Sequence, residues 1–318
     1  MRIGLMTGVD RLRPRAERIA GLVADAQAVE AAGFSSVWLT QPSGYFDALT
    51  IAAILGAATS RIELGTAIVP VQTRHPLTMA QQALTAQAAA GGRFTLGIGA
   101  SHHWIVEDQL GLVYERPAAL VRDYLEVLDA AFAGPGTVSV TNSSFAVNVP
   151  FDVLDPTPMP VVVAALAPVM LGVAGTHACG TILWMADERS IAEHVAPRIQ
   201  QAARLAGRAE PRIIAGIPVA LCSAGEVDGA RGYTSDLLGR AARSPNYVRL
   251  LERGDADDVG GTMAVGDESA VLDRLKRYRD AGATDLAVQV VALGADPEAR
   301  QASRRRTMEF LASLCPQV

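Results

Sequence analysis

Residues 62–99 read IELGTAIVPVQTRHPLTMAQQALTAQAAAGGRFTLGIG and contain a strand, a helix and a second strand. Ile62–Val69 and Phe94–Ile98 are short apolar runs, which are typical of strands buried on both faces. Leu77–Ala90 lies between them, with a His-Pro pair before it and two glycines after it, and these are helix start and stop signals. The stretch therefore predicts two parallel strands connected by a helix.

The same alternation extends over the whole chain. Eight apolar runs predict buried strands: Ile3–Met6, Ser36–Thr40, Ile62–Val69, Phe94–Ile98, Val161–Ala165, Thr181–Trp184, Ile213–Cys222 and Asp285–Val291. Intervening stretches predict helices: Ile19–Val29, Phe46–Ala58, Leu77–Ala90, Leu120–Phe132, Val169–Gly175, Ile191–Ala206, Ser269–Ala281 and Pro297–Leu314. This order predicts an α/β fold with a parallel sheet, and the (β/α)8 TIM barrel is its closed form. We expect one barrel domain over residues 1–318, and a doubly wound open sheet is the alternative.

Two stretches interrupt the alternation. Thr137–Val149 alternates apolar and polar side chains on either side of an Asn-Ser-Ser turn, which predicts an extra β-hairpin. Residues 225–262 are rich in Gly, Asp and Arg and carry only local helix signals. This insertion is either a lid over the mouth of the barrel or a surface excursion without a role.

Composition narrows the class of protein. Half of the residues are hydrophobic and 19% are charged, which excludes a disordered chain. The net charge of −5 argues against a nucleic-acid partner, which usually leaves a basic footprint. Cys179, Cys222 and Cys315 fit neither a disulfide framework nor a zinc pattern, and free thiols indicate a reducing cytoplasm. No signal peptide is visible, and the most apolar segment, Val161–Gly175, is too short to span a membrane.

In a barrel, the loops after the strands meet at one opening, so functional residues are expected there. These positions are Thr7-Gly8, Gln41, Ala67–Pro70, Gly99–Trp104, Ala165–Val169, Trp184–Ala186 and the region of Cys222. Two of the three tryptophans, Trp104 and Trp184, lie near strand ends and either pack in the core or form a wall for a flat ligand.

The stretch Gly97–His103 nearly matches two catalytic motifs. His102 replaces the third glycine of the dinucleotide fingerprint, and no helix opens there, so a Rossmann site is disfavoured. His103 replaces the closing glycine of the nucleophile elbow, which disfavours a serine hydrolase. Adjacent histidines point in different directions, so we expect no metal site. His102 is then either a hydrogen-bonded loop residue or a proton donor.

Ala164–Met170 joins the predicted fifth strand to a helix. The first turn of a helix presents unpaired N–H groups and the positive end of the dipole, which suits a phosphate. Small side chains at this junction allow the backbone to approach a ligand closely. The junction therefore indicates a candidate phosphate site, although every strand–helix junction offers some of these features.

Four stretches together resemble the bacterial-luciferase-like family, and within it the oxidoreductases that use the deazaflavin coenzyme F420. They are Ala32–Leu39, Arg61–Ile68, Arg93–His102 and Val162–Pro168, the last with the later Gly175 and Gly180-Thr181. The resemblance implies a barrel with a cofactor across its strand ends. It also implies a cis peptide at Ala67–Ile68 behind the deazaflavin ring and a phosphate held by Ala165, Leu166, Ala167, Pro168, Val169 and Met170. Thr7, Gln41, Ser101 and Trp184 complete the predicted cofactor site.

The chain also departs from better-known members of that family. Several of them have an Asp-His pair where this chain has Gln41-Pro42, and sugar-phosphate-oxidising members have a Glu where His102 stands. These departures disfavour oxidation of sugar phosphates or secondary alcohols. Hydride delivery to a double bond also needs a proton, for which His102, His103 and Glu107 are the candidates, with His102 first.

The resemblance implies an F420-dependent oxidoreductase that reduces an activated C=C or C=N bond of a small molecule. The alternatives are an FMN-dependent monooxygenase on the same fold and a cofactor-binding protein without turnover. We expect a homodimer by analogy with the family, and no metal, nucleic-acid or membrane partner.

Overall fold

The computed structural model describes residues 1–7, 13–153 and 158–315. Its strands are β1 (Arg2–Thr7), β2 (Ser36–Leu39), β3 (Glu63–Thr66), β4 (Val69–Pro70), β5 (Phe94–Gly99), β6 (Gly136–Thr141), β7 (Ala146–Phe151), β8 (Val161–Val163), β9 (Gly180–Trp184), β10 (Arg212–Leu221), β11 (Ala264–Gly266) and β12 (Asp285–Val290). Within those residues, eight parallel strands close into a barrel in the order β1, β2, β3, β5, β8, β9, β10, β12. The predicted (β/α)8 barrel is confirmed, and the open sheet is excluded.

Helices surround the strands. They are α1 (Arg18–Ala31), α2 (Ala48–Ala58), α3 (Pro76–Ala89), α4 (Pro117–Phe132), α5 (Pro168–His177), α6 (Glu188–Ser190), α7 (Ala196–Leu205), α8 (Val227–Leu238), α9 (Pro245–Leu251), α10 (Glu268–Asp280) and α11 (Pro297–Leu314). A π-helical turn, Ile191–Val195, joins α6 to α7. Aspartates start several helices: the carboxylates of Asp47, Asp267 and Asp296 accept the first-turn N–H groups of α2, α10 and α11.

The predicted third strand, Ile62–Val69, is not continuous. It divides into β3 and β4 because the Ala67–Ile68 peptide bond is cis, as the family resemblance implies. The Thr66 hydroxyl compensates for the interrupted ladder, since its Oγ1 donates to the Gly97 carbonyl and accepts from the Gly97 N–H, both at 2.8 Å. A side chain at Gly97 would meet the Thr66 carbonyl at 1.8 Å, so only glycine fits there.

The interior of the barrel is filled in two zones. Met6, Trp38, Val162, Ile182, Ile214 and Ala287 pack within it. Towards the N-terminal ends of the strands, Arg212 lies between two carboxylates: Nη1 is 2.7 Å from Glu63 Oε1, and Nη2 is 2.7 Å from Asp285 Oδ1. Burial alone would raise the pKa of Glu63, but the hydrogen bond and charge of Arg212 outweigh it and hold that pKa below its usual value. Among the described residues, no helix combines the length and apolarity that crossing a membrane requires.

The predicted hairpin is present as the antiparallel pair β6–β7, which lies against α4. Its turn is fixed by the buried carboxylate of Asp123, which accepts from the hydroxyls of Ser143 and Ser144. Asn142 shapes the same turn because its Oδ1 accepts from the Phe145 N–H at 2.8 Å. The hairpin is therefore tied to the barrel by polar contacts as well as by packing.

The insertion at residues 225–262 contains α8, a 3₁₀ segment at Gly239–Arg243 and α9. The strand β11, which the sequence analysis did not predict, follows it and pairs with the end of β10. Asp187 anchors the C-terminal part of the insertion, because its carboxylate accepts from the N–H groups of Asp255 and, at 2.9 Å, of Ala256. The same carboxylate accepts from the Ser190 N–H at 2.8 Å. The Ser244–Arg249 portion of the insertion reaches the mouth of the barrel.

Candidate active site

A cavity of about 690 Å³ opens at the C-terminal ends of the strands. Its volume is within the range of about 300–1,000 Å³ that is usual for small-molecule sites. Among the predicted site residues, those that line it are Gln41, Ala67, Ile68, Ser101, His102, His103, Leu166, Ala167, Val169, Met170 and Trp184. The ends of seven of the eight barrel strands thus contribute to one chamber, and among the described strands β10 is the one that does not.

Four predicted site residues do not line this cavity. Thr7 lies beside a neighbouring cavity, and its hydroxyl donates to the Trp38 carbonyl at 3.2 Å. Ala165 is fully buried below the loop, and Pro168 is the first residue of α5. Glu107 is an exposed residue of the π-helical turn Ile105–Gln109. Gly8, the other half of the predicted strand-end pair, lies outside the described residues.

The cis bulge forms one wall of the chamber. Ile68 packs over Gly97 and Gly99, where an added side-chain carbon would lie 3.4 and 3.2 Å from its atoms. At Gly99 that carbon would also lie 3.0 Å from the Ala164 side chain. Because glycines have no side chain, Ile68 can pack directly on the backbone of β5 and this wall is smooth, which suits a flat ring system.

The first turn of α5 borders the same chamber through Val169 and Met170. No side chain caps this helix, so its first N–H groups have no side-chain partner among the described residues. The loop before it is held by His194, whose Nε2 is 2.7 Å from the Leu166 carbonyl oxygen. Burial lowers the pKa of His194 despite that bond, so the ring is neutral and donates from Nε2. The result is a fixed, uncapped helix start at the wall.

His102 is enclosed by the insertion. Its Nδ1 is 2.9 Å from Ser244 Oγ, and its ring lies 5.4 Å from the Trp104 ring and 5.6 Å from that of Tyr247, centre to centre. Burial, with the neighbouring His103 second, lowers the pKa of His102. Trp104 therefore supports His102 and is not a cavity wall, whereas Trp184 is one. Ser101, directly before, has the positive φ of 57° that often accompanies a functional loop.

Gln41 has a fixed orientation. Its Oε1 accepts from the Ala48 N–H at 2.7 Å, which leaves the Nε2 amide hydrogens for the chamber. The amide oxygen of Asn246 is occupied in the same way, because its Oδ1 accepts from Arg249 Nη2 at 2.7 Å. Among the described lining residues, Arg249 is the one permanent charge and no carboxylate occurs. The chamber therefore favours ligands with hydrogen-bond acceptors or negative charge.

The sequence analysis missed the lining residues that come from elsewhere in the chain. They are chiefly Tyr114 and the insertion residues Ser244, Pro245, Asn246, Tyr247 and Arg249. An aromatic and a cation within a polar insertion are a weak signal, since such residues are usually solvated. In the part of the chain that the structure describes, no His, Cys, Asp or Glu side chains group in a way that could hold a metal.

The chain matches the family model described as luciferase-like monooxygenase over residues 1–285, and it belongs to that family. It is 34% identical over 139 residues to a protein of Mycobacterium tuberculosis named as a coenzyme F420-dependent oxidoreductase, covering 44% of this chain and 39% of that protein. It is 25% identical over 255 residues to the 5,10-methylenetetrahydromethanopterin reductase of Methanolobus tindarius, covering 78% of this chain and 76% of the reductase.

Solved structures share the fold. An F420-dependent secondary alcohol dehydrogenase in complex with an F420-acetone adduct superposes with a TM-score of 0.77 at 16% identity, over 99% of this chain and 98% of the other. The FMN-bound oxygenating component of 3,6-diketocamphane monooxygenase from Pseudomonas putida superposes with a TM-score of 0.75 at 15% identity, over 100% and 98%. These likenesses establish a luciferase-like barrel.

Proposed function

We propose that this protein is a coenzyme F420-dependent oxidoreductase that reduces an activated C=C or C=N bond of a small organic molecule. The observation that carries the proposal is a single chamber with a smooth wall at Ala67–Ile68 and an uncapped first turn of α5 at Val169 and Met170. The first suits a planar tricyclic ring and the second suits a phosphate. The name of the relative in Mycobacterium tuberculosis supports the deazaflavin as the cofactor.

The residues present fit that cofactor. The N–H groups of the first turn of α5 would hold its phosphate, and the absence of carboxylates among the described lining residues avoids repulsion. Ala67, Ile68 and Trp184 would enclose the ring, and the Gln41 amide would donate to a ring carbonyl.

Reduced deazaflavin supplies a hydride when it is bound. One hydride and one proton convert the substrate double bond to a single bond, so the chain must provide or relay the proton. Of the three candidates, His102 combines a position on the cavity wall with a fixed ring. The mainly apolar walls would limit the access of water to a bound cofactor, and the cavity of about 690 Å³ would have room for a substrate as well.

A titration of the purified protein with oxidised F420, reduced F420 and FMN tests the proposal. We expect micromolar or tighter binding of F420, weaker binding of FMN, and oxidation of reduced F420 by enones or imines. Preferred FMN binding with oxygen consumption would instead identify a monooxygenase. Tight F420 binding without turnover across the substrate panel would identify a cofactor-binding protein.

The proposal extends to a cytoplasmic homodimer without nucleic-acid or membrane partners. The acidic net charge of −5 supports the absence of a nucleic-acid partner. Sedimentation velocity at micromolar concentration tests the dimer, and a monomer would contradict it.

A further inference from the structure

We propose that Ser244 is a positioning residue that holds His102 with its hydrogen on Nε2, the ring nitrogen left for the cavity. The catalytic consequence rests on the proposed function, but the assignment of the hydrogen rests on the contacts alone. Ser244 belongs to the insertion and lies 142 positions from His102 in the chain. The insertion would therefore complete the active site as well as cover it.

The direction of the Ser244–His102 hydrogen bond follows from the surroundings of the hydroxyl. Ser244 is buried, and its Oγ has one side-chain hydrogen bond among the described residues, the 2.9 Å contact with Nδ1. Although Ser244 precedes α9, its side chain does not cap that helix. A buried O–H group needs an acceptor, and Nδ1 is the one within reach, so the hydroxyl donates and Nδ1 accepts. The hydrogen of the neutral imidazole must then be on Nε2.

The ring is held so that this assignment persists. Trp104 stacks on it at an interplanar angle of 21°, and Tyr247 of the insertion lies against it at 31°. Trp104 is itself covered by Arg240 of the insertion, whose guanidinium carbon is 4.3 Å from the ring centre. These two rings fix the plane of the imidazole, and a 180° flip within that plane would put Cδ2 in place of Nδ1 and lose the hydrogen bond with Ser244. Burial and the adjacent His103 favour the neutral ring, which is the form with a choice of tautomer.

Ser244 can also form a hydrogen bond with His102 when the imidazole is charged. When solvent protonates Nδ1, the hydroxyl can rotate and accept from that N–H, because its oxygen has lone pairs available. Nε2 carries a hydrogen in both charge states, so the neutral ring can donate a hydrogen bond to the substrate atom. The proton itself is transferred from the charged ring, which loses the Nε2 proton and keeps its hydrogen on Nδ1, where Ser244 Oγ accepts it. Without Ser244, the neutral ring would populate both tautomers, and part of the protein would present a lone pair instead.

Nitrogen-15 NMR on histidine-labelled protein, without cofactor, tests the assignment directly. The His102 signals are identified by their loss in His102→Gln. We expect the long-range correlation pattern of an Nε2–H tautomer in the wild type and in Ser244→Thr, which keeps the hydroxyl. In Ser244→Ala we expect a mixture of tautomers. Wild-type protein in the Nδ1–H form, or an unchanged pattern in Ser244→Ala, would overturn the proposal.

Arg240→Ala is the matched control, because it tests whether packing of the insertion alone fixes the His102 tautomer. It removes the cation over Trp104 without touching the Ser244–His102 contact, so the tautomer should be retained. A mixture of tautomers in Arg240→Ala equal to that in Ser244→Ala would show that packing, and not the hydroxyl, sets the ring. If Ser244→Ala fails to fold by circular dichroism, the wild-type tautomer and the Arg240→Ala comparison still decide.

The catalytic consequence has a separate measurement. With F420 and a turned-over substrate, Ser244→Ala should lower kcat about tenfold while the Kd for F420 stays within twofold, and Ser244→Thr should restore kcat. Nε2–H NMR signals in a protein that does not bind F420 would refute the proposed function and leave the tautomer assignment intact. F420 turnover with the opposite tautomer would do the reverse.

Discussion

At the residue scale, His102 and His103 differ in environment although they are adjacent. His102 has a hydrogen bond to Ser244 and two aromatic neighbours, whereas His103 meets the edge of Tyr114 at 6.4 Å between ring centres. An imidazole with a fixed ring can present one nitrogen in a constant direction, and this is what a proton donor requires. The two side chains are therefore unequal candidates for the same role.

Replacing His102 with Ala should lower kcat by about 10²–10⁴-fold, because a positioned general acid contributes an effect of that size. The affinity for F420 should remain close to that of the wild type, since His102 is not part of the phosphate turn. Steady-state kinetics with a parallel fluorescence titration measures both quantities, and His103→Ala is the neighbouring control. An unchanged kcat would remove His102 from the mechanism.

Replacing Val169 with Asp should weaken F420 binding by roughly tenfold, about 1.4 kcal/mol. The new carboxylate would repel the phosphate at the start of α5, yet acids in the first turn stabilise a helix, so the fold should be retained. Val169 is 68% exposed, so the change creates no buried charge. Val169→Asn, which is similar in size and neutral, is the control. Equal affinity in both variants would place the phosphate elsewhere.

At the element scale, the insertion is a fixed wall of the chamber and not a loose excursion. One part reaches the mouth through Ser244, and the returning part is tied down by Asp187 before β11 joins the sheet. Gly254 fits against the Asp187 carboxylate, where an added side-chain carbon would lie 2.3 Å from Oδ2. These polar anchors add to the packing of buried apolar side chains of the insertion, such as Ala230, Leu250 and Val259.

Replacing Asp187 with Ala should destabilise the protein by about 1–3 kcal/mol, because buried N–H groups lose their acceptor. Amide hydrogen exchange should also rise in residues 239–262, since the segment at Asp255-Ala256 loses its anchor. Asp267→Ala removes an equivalent cap, that of α10, without touching the insertion. That control should lose about 1 kcal/mol of stability with unchanged exchange in the insertion.

At the scale of the whole molecule, the two ends of the barrel differ in the charged groups that they hold. The C-terminal end holds the chamber that favours ligands with hydrogen-bond acceptors, and no carboxylate occurs among its described lining residues. The other end is closed by Arg212 between Glu63 and Asp285, with Arg2 at the rim. As in other (β/α)8 barrels, we expect residues at the C-terminal end to serve function and residues at the N-terminal end to stabilise the fold.

Replacing Arg212 with Ala should cost about 3–5 kcal/mol, because it removes the more buried of the two cations that pair with the buried carboxylates of Glu63 and Asp285. Arg2 contacts the same two carboxylates but is 46% exposed, so Arg2→Ala should cost about 1 kcal/mol or less. Urea denaturation of the pair measures the difference. Similar losses in both variants would contradict a buried role for Arg212.

Stability should also fall in acid through Glu63. Its pKa is lowered by folding, so its contribution is present above the ordinary value of 4.5 and is lost as the pH falls through the folded value. The urea midpoint of the wild type should decline below pH 4.5, and Glu63→Gln should show a shallower decline over the same range. Parallel curves for the two proteins would exclude Glu63 as a source of acid sensitivity.

The amino-acid sequence by itself determined the alternation of buried strands and helices. Apolar runs and helix signals are local, so β1, β2, β5 and β12 could be located to within a residue or two. The loop before α5 was found in the same way, because a strand–helix junction is visible along the chain.

The cis bond between β3 and β4 was instead expected from the family resemblance. Only the tertiary structure decided the pairing of β11 and the meeting of Ser244 with His102. It also turned Glu107 outwards and moved Trp104 behind the histidine. These features depend on contacts between residues that are distant along the chain, and no periodic pattern encodes which loop will face which. The barrel brings such loops together because its parallel strands all end on one side.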